Sequence, residues 1–199
     1  QALFAMLDRY FLTVGVRVDG NSAFGEDLGL QTYPKVSASY IIWDESFWNE
    51  RFGVLKLRAA WGQSGRAPGT FDAVRTWEAQ GYGGEPAYTP ENLGNPNLGP
   101  ERTSETEVGF DWAGFQNRLS TEVTWYRQRT TDALFEVRKP PSEGFALEQL
   151  ENVGTIQNQG WELNLNAAIL DRRDWGFDVG LNFYTNQSEV LDLGSAVPF

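Results

Sequence analysis

Six acidic side chains recur at alternating positions: Glu105, Glu107, Asp111, Glu122, Glu162 and Asp178. Two carboxylates facing each other across a cleft can share the acid and base roles of glycoside hydrolysis. These six instead repeat along the polar side of alternating segments, as a solvated wall would. A second set is aromatic. Phe71, Trp77, Tyr82 and Tyr88 are interleaved with Gly, Pro, Asn and Glu. Aromatic faces stack on sugar rings and amides bind hydroxyls, so such a loop could hold a glycan; the alternative is a loop packed on its own aromatics. Asp19-Gly20-Asn21 and Gly25-Glu26-Asp27 offer oxygens for calcium but lack the full EF-hand spacing, so turn chemistry fits better. Cys and His are absent. Thiolate nucleophiles, imidazole bases, disulfides and most zinc or copper sites are thereby excluded. No phosphate loop, dinucleotide fingerprint or nucleophile elbow occurs. The expectation is no catalytic residue, no metal, no cofactor and no enzymatic activity.

The elements that carry these residues read as strands. The chain has 199 residues, with 41% hydrophobic, 14% aromatic and 22% charged residues. That composition is neither disordered nor fibrous. A net charge of −11 argues against nucleic acid or anionic lipid as partner. No uncharged run approaches the ~20 residues of a membrane-spanning helix. Apolar residues alternate with period two, the mark of a strand with one apolar and one polar face. Trp161, Leu163, Leu165, Ala167 and Ile169 enclose Glu162, Asn164 and Asn166. Trp175, Phe177, Val179, Leu181 and Phe183 repeat the pattern, as do Thr106, Val108, Phe110 and Trp112. Further strands follow from Leu119–Trp125, Leu55–Trp61, Leu12–Val18 and Val36–Ile42, with residues 1–7 as the end of an eighth. The one helical candidate, residues 143–151, is short and sits in a loop opened by Pro140-Pro141.

Connection lengths alternate. Residues 7–10, 44–53, 113–117 and 171–174 are short links; 20–31, 65–102 and 132–157 are long ones, and the segment after Ser188 is open. Short turns alternating with long loops describe an outer-membrane β-barrel. Trp43, Trp48, Trp112, Trp175 and Tyr10 gather at the short-turn ends, where an interfacial aromatic girdle would lie. A soluble β-sandwich is the rival, since its strands alternate too. Charges repeated on one face, their near absence from the other and a 65–102 connection long for a sandwich favour the barrel.

The most specific segment is Asn95-Pro-Asn-Leu-Gly-Pro-Glu-Arg-Thr-Ser-Glu-Thr-Glu-Val-Gly-Phe-Asp111. Asn95-Pro96 makes a turn, and Pro100 halts any ladder before the next strand opens. The segment closely resembles the Asn-Pro-x-Leu-x-Pro-Glu-x-(Ser/Thr)-x-x-x-Glu-x-Gly stretch of TonB-dependent outer-membrane receptors. Arg17-Val-Asp-Gly-Asn-Ser-Ala-Phe24, Tyr33–Tyr40, Leu57-Arg-Ala-Ala-Trp-Gly-Gln-Ser-Gly65, Asn152-Val-Gly-Thr-Ile-Gln-Asn-Gln-Gly-Trp-Glu162 and Asn186–Val190 are similar, in order, to segments of the SusC/RagA-type branch.

The resemblance covers nearly the whole chain. It implies an all-β fold: an antiparallel up-and-down meander of about eight strands, forming part of a barrel of about 22. Residues 1–199 would be a partial barrel domain, with the plug domain and the other strands absent. A closed eight-stranded barrel is the physical alternative. The implied role is energy-coupled uptake of a nutrient, often a glycan or peptide, across a bacterial outer membrane. The implied partners are outer-membrane lipid, the TonB complex through the missing N-terminal part and a SusD-like lipoprotein. The alternative function is that of a soluble carbohydrate-binding sandwich. Thr106, Val108, Phe110, Leu163, Leu165, Val179 and Leu181 are expected to face lipid. Phe71, Trp77, Tyr82 and Tyr88 are the candidate ligand aromatics.

Overall fold

A computed structural model describes residues 1–21, 23–24, 29–43, 45–138, 142 and 147–194. Its main sheet starts with β1 (Ala2–Met6), β2 (Tyr10–Asp19), β3 (Gln31–Ile42) and β4 (Val54–Arg66). It continues with β7 (Glu101–Gly114), β8 (Leu119–Thr131), β11 (Thr155–Arg172) and β12 (Trp175–Tyr184). All neighbours are antiparallel, in the order β1-β2-β3-β4-β7-β8-β11-β12. β13 (Gln187–Asp192) also pairs with β11. Glu162 opposes Tyr184 and Gln159 opposes Gln187, so β13 continues β12 in the same register after a two-residue break. The meander is therefore an eight-strand curved wall, and the strand expected to end near Ser188 runs on to Asp192.

Two expectations need correction. The 65–102 connection is not plain loop: β5 (Thr76–Tyr82) and β6 (Glu85–Asn92) make a two-stranded ribbon within it. The 132–157 connection likewise holds β9 (Leu134–Arg138) paired with β10 (Glu148–Asn152). Of the helical candidate at 143–151, residues 143–146 lie outside the described residues, and Glu148–Glu151 form strand. Cross-strand partners outweighed a weak local helix signal there. The Gly25–Asp27 candidate also lies outside the described residues. Asn21 does make a turn, its side-chain oxygen accepting from the Ala23 N–H at 3.0 Å.

Register decides which residues share a face, because directly opposed residues point to the same side. One row runs Tyr10, Tyr40, Leu57, Phe110, Val123, Leu163, Phe183. The next runs Ile42, Leu55, Trp112, Thr121, Leu165, Leu181. On the far side of the first lie Leu12, Ala38, Ala59, Val108, Trp125 and Trp161. Every apolar stripe read from the alternation thus lies on one face. The band ends at both borders: Thr106 opposes Arg127, which neighbours Gln159, and Arg172 opposes Trp175. A bulge between Ala168 and Leu170 takes up one extra residue near the turn end.

This face is open. Val108 is 50% exposed, Leu181 51% and Phe177 55%. A sandwich would bury it under a second sheet, and among the described residues no such sheet lies there. Nor does the wall close on itself: β1 and β12 are edges, exposed along their whole lengths. Most of the buried side chains gather instead at the long-loop end, where Leu98, Ala133, Val137, Val153, Gln149 and Gln157 are all below 9% exposed, while Ile42 is buried at the turn end.

Candidate functional site

The opposite face is polar and partly neutralised by ion pairs. Lys56 and Arg58 on β4 meet Asp111 on β7 at 3.3 and 2.8 Å. Arg58 also donates to the Thr124 hydroxyl at 2.5 Å. Of the six carboxylates, Glu105, Glu107, Glu122 and Glu162 line one open hollow with Arg58 and Tyr126. Asp111 is the member held by the two cations, and Asp178 stands farther along, opposite Ala168. The hollow is a concave stretch of wall. Its members belong to successive strands, placed there by the period of two, and none faces another across a cleft.

At the loop end, two asparagines join separate pieces of chain. Asn152 accepts from the Gly99 N–H at 2.6 Å and donates to the Gly99 and Asp132 carbonyls at 2.8 and 3.0 Å. Asn92 donates to the carbonyls of Phe71, Asp72 and Val74 at 3.0–3.1 Å. Its carbonyl accepts from Gln149 at 3.4 Å, which links the β5–β6 ribbon to β10. Glu101 adds an acceptor for the Leu134 N–H at 3.4 Å. Leu98 is fully buried beneath these bonds, and Asn97 N–H turns back onto the Asn95 side chain at 3.1 Å. The Asn95–Glu101 segment is thus the fastening point of both long loops. Neither Asn92 nor Asn152 stood out by residue type. The position of Asn152 at the head of a recognisable segment was the available signal.

The loop aromatics do not converge. Trp77, 53% exposed, and Tyr88, 69%, lie on one face of the β5–β6 ribbon, because Tyr88 opposes Ala79. Tyr82 opposes Glu85 and falls on the other face. Phe71 lines a separate groove between the two long loops, with Arg66, Asp72, Glu136 and Leu150.

At the turn end, the 43–53 connection is tied to both neighbours. Glu45 accepts from Arg9 at 3.0 Å and from the Tyr40 hydroxyl at 2.9 Å. The bond from Tyr40 and then that from Arg9 hold the Glu45 carboxyl below its ordinary value, although burial alone would raise it. Trp112 donates to the Phe52 carbonyl at 2.7 Å, and Trp48 to that of Gly53 at 2.8 Å. Gly53 has φ 75°, and a Cβ there would lie 2.1 Å from the Ala113 carbonyl oxygen. Only glycine fits that approach.

Over residues 1–199 the sequence matches the family described as TonB dependent receptor-like, beta-barrel. The chain belongs to that family. TonB-dependent receptor P26 of Formosa agariphila is 35% identical over 96% of the chain, and TonB-dependent receptor SusC of Bacteroides thetaiotaomicron is 28% identical over 96%. The chain spans about a fifth of the length of each, 20% in both cases. The RagAB peptide importer in its closed-closed state superposes with a TM-score of 0.89 at 26% identity, covering 98% of this chain and 22% of that one. The siderophore receptor PirA from Pseudomonas aeruginosa, at 18% identity and TM-score 0.63, shares the fold. The eight-strand sheet is accordingly barrel wall of an outer-membrane protein, and the open edges of β1 and β12 are strand edges of that wall. This TonB-dependent receptor family consists of receptors and transporters, and the polar face carries charges and amides on successive strands, among them Lys56, Arg58, Asp111, Glu122, Asn164 and Asn182.

Proposed function

We propose that this chain forms part of the barrel of a TonB-dependent transporter that takes up a nutrient, a glycan or a peptide, with energy supplied through TonB. The observation that carries the reading is the single two-faced wall with fastened loops at one end, together with its superposition on the RagAB peptide importer. In this reading the apolar face, including Thr106, Val108, Phe110, Leu163, Leu165, Val179 and Leu181, meets lipid. The acidic and amide face lines the lumen against a plug domain supplied elsewhere in the protein. The long loops are extracellular and the short turns periplasmic, as the length alternation of such barrels favours. A SusD-like lipoprotein caps the loop side. Trp77 and Tyr88, sharing one exposed ribbon face, are the better placed of the four aromatics to stack on a sugar ring or an aromatic peptide side chain; Phe71 and Tyr82 would contact ligand separately. Among the described residues the polar face makes no convergent catalytic arrangement, which fits transport better than turnover.

The test is uptake by whole cells. Deleting the full-length gene should abolish uptake of one class among labelled oligosaccharides and peptides, and restoring it should return uptake only where TonB is intact. Uptake that persists without TonB would refute energy coupling, and loss of a product-forming activity instead would refute transport.

A further inference from the structure

The two long loops leave a groove of about 560 Å³ between them. Its walls are the segment after β4, the foot of the β5–β6 ribbon at Thr76, Glu91 and Asn92, and one face of the β9–β10 ribbon. On that face Glu136 has Leu134 beside it along the strand and Leu150 directly across from it. Four carboxylates line the groove, Asp72, Glu91, Glu136 and Glu148, against one arginine, Arg66. Arg66 is paired with Glu101 at 4.0 Å. Arg138 takes up Glu148 at 3.5 Å, and Asp72 accepts from the Gly69 N–H at 2.6 Å. Glu91 meets the Thr76 hydroxyl at 3.3 Å; among the described residues neither Glu91 nor Glu136 has a cationic partner. The groove stands at the head of the polar face. Arg66 opposes Glu101, and every second pair of β4 and β7 continues that row through Ser64–Thr103 and Gly62–Glu105 to Ala60–Glu107. Farther along lies the hollow of Glu105, Glu107, Glu122 and Glu162, again four carboxylates with one arginine, Arg58.

We propose that this groove receives the nutrient before it crosses, and that the nutrient is a cationic peptide. A lysine or arginine side chain has an aliphatic stem and a charged head. The stem lies on Leu134 and Leu150 and the head ends at Glu136 or Glu91; the acidic hollow presents the same charge farther down the wall. Among the described residues no group of carboxylates could hold a metal ion, so the charge suits an extended cation. An acidic glycan is repelled by the same groove. Trp77 and Tyr88, the aromatics suited to a sugar ring, are not among its walls. The inference rests on the uptake reading and names its substrate class, and the test separates the two. Full-length protein in lipid nanodiscs is titrated with fluorescently labelled peptides of equal length carrying lysine and leucine, glutamate and leucine, or serine and leucine, and with a neutral oligosaccharide. The lysine peptide should bind tightest, and raised salt should weaken it. Glu91→Gln with Glu136→Gln should weaken it about 5-fold. Glu78→Gln with Glu85→Gln, which removes the same charge from the ribbon outside the groove, should leave it unchanged. Equal losses in the two double variants would show a response to net charge alone and overturn the groove. Equal affinity for the lysine and glutamate peptides, or tighter binding of the oligosaccharide, would overturn the cationic peptide and leave uptake standing. Uptake of the lysine peptide by whole cells that persists without TonB would overturn energy coupling and leave the groove.

Discussion

Leu165→Arg tests the assignment of the two faces most directly. On β11 the apolar-face positions run from Gln159 at one polar border to Arg172 at the other, and Leu165 lies next to the midpoint. The apolar stretch between Trp161 and Leu170 covers nine residue steps, about 30 Å along a strand. At a tilt of about 40° that spans about 23 Å, close to the ~25 Å apolar band of an outer-membrane barrel. An arginine at the centre of such a band costs about 2–4 kcal/mol, falling to about 0–1 near its borders. Leu165→Arg should therefore destabilise by about 2–4 kcal/mol, and Gln159→Arg by no more than about 1. Asn166 is one residue away and lies on the other face, opposite Ser120 and Gly180. Asn166→Arg should stay within about 0.5 kcal/mol, as a substitution on a hydrated surface does. The assay is equilibrium unfolding in denaturant of the full-length protein refolded into lipid vesicles. Equal penalties at Leu165 and Asn166 would refute the face assignment, because a one-residue register slip exchanges the two faces.

Sidedness is checked by cysteines at Gly84, in the β5–β6 turn, and at Gln116: an impermeant maleimide on whole cells should label the first and not the second. Asn152→Ala strips partners from Gly99 and Asp132; it should open the loop end by about 1–3 kcal/mol, read as faster hydrogen exchange in β9–β10 with β4, β7 and β8 unchanged. Because the Glu45 carboxyl is depressed in the folded state, the stabilisation from its bonds to Tyr40 and Arg9 is present above the unfolded value and lost as pH falls through the lower folded one. A carbon-13 titration of Glu45 should thus have its midpoint below 4.5, and a midpoint above that would exclude the ion pair. Residues 1–199 produced alone should associate in detergent-free buffer, since β1 and β12 are bare edges and the apolar face is uncovered; a monodisperse, cooperatively unfolding monomer would contradict this.

The wall was legible in the sequence because its information is local. A residue pair such as Leu165-Asn166 states its two faces within a single strand, and the pleat enforces the same statement on every neighbour. Eight such segments, joined alternately by short turns and long loops, leave little freedom beyond an antiparallel meander. Strand ends were less legible. β11 begins at Thr155, before the alternation becomes apolar, because above the band its partners on β8 and β13 are polar ladders such as Gln157 opposite Arg129 and Glu189. There pairing is set by backbone hydrogen bonds and side-chain amides, and hydrophobic period carries no signal.

The loop end was not legible for a different reason. Its structure depends on partners far apart in the chain: Asn152 with Gly99, Asn92 with Gln149, Glu101 with Leu134. A single asparagine gives no sign in sequence of which carbonyl it will bind. The four loop aromatics look like one surface when read along the chain, yet the register of the β5–β6 ribbon sends Trp77 and Tyr88 to one side and Tyr82 to the other. The same logic separates the six carboxylates, which one hollow gathers in part while Asp111 is neutralised by Lys56 and Arg58. Alternation fixes the side of the wall on which a residue stands. Height along the wall and the choice of neighbour come from strand register, and the position of a loop comes from the few polar bonds that fasten it. Asn92, bonded to the carbonyls of Phe71, Asp72 and Val74 and to Gln149, is in this way what places the β5–β6 ribbon and with it the face that Trp77 and Tyr88 share.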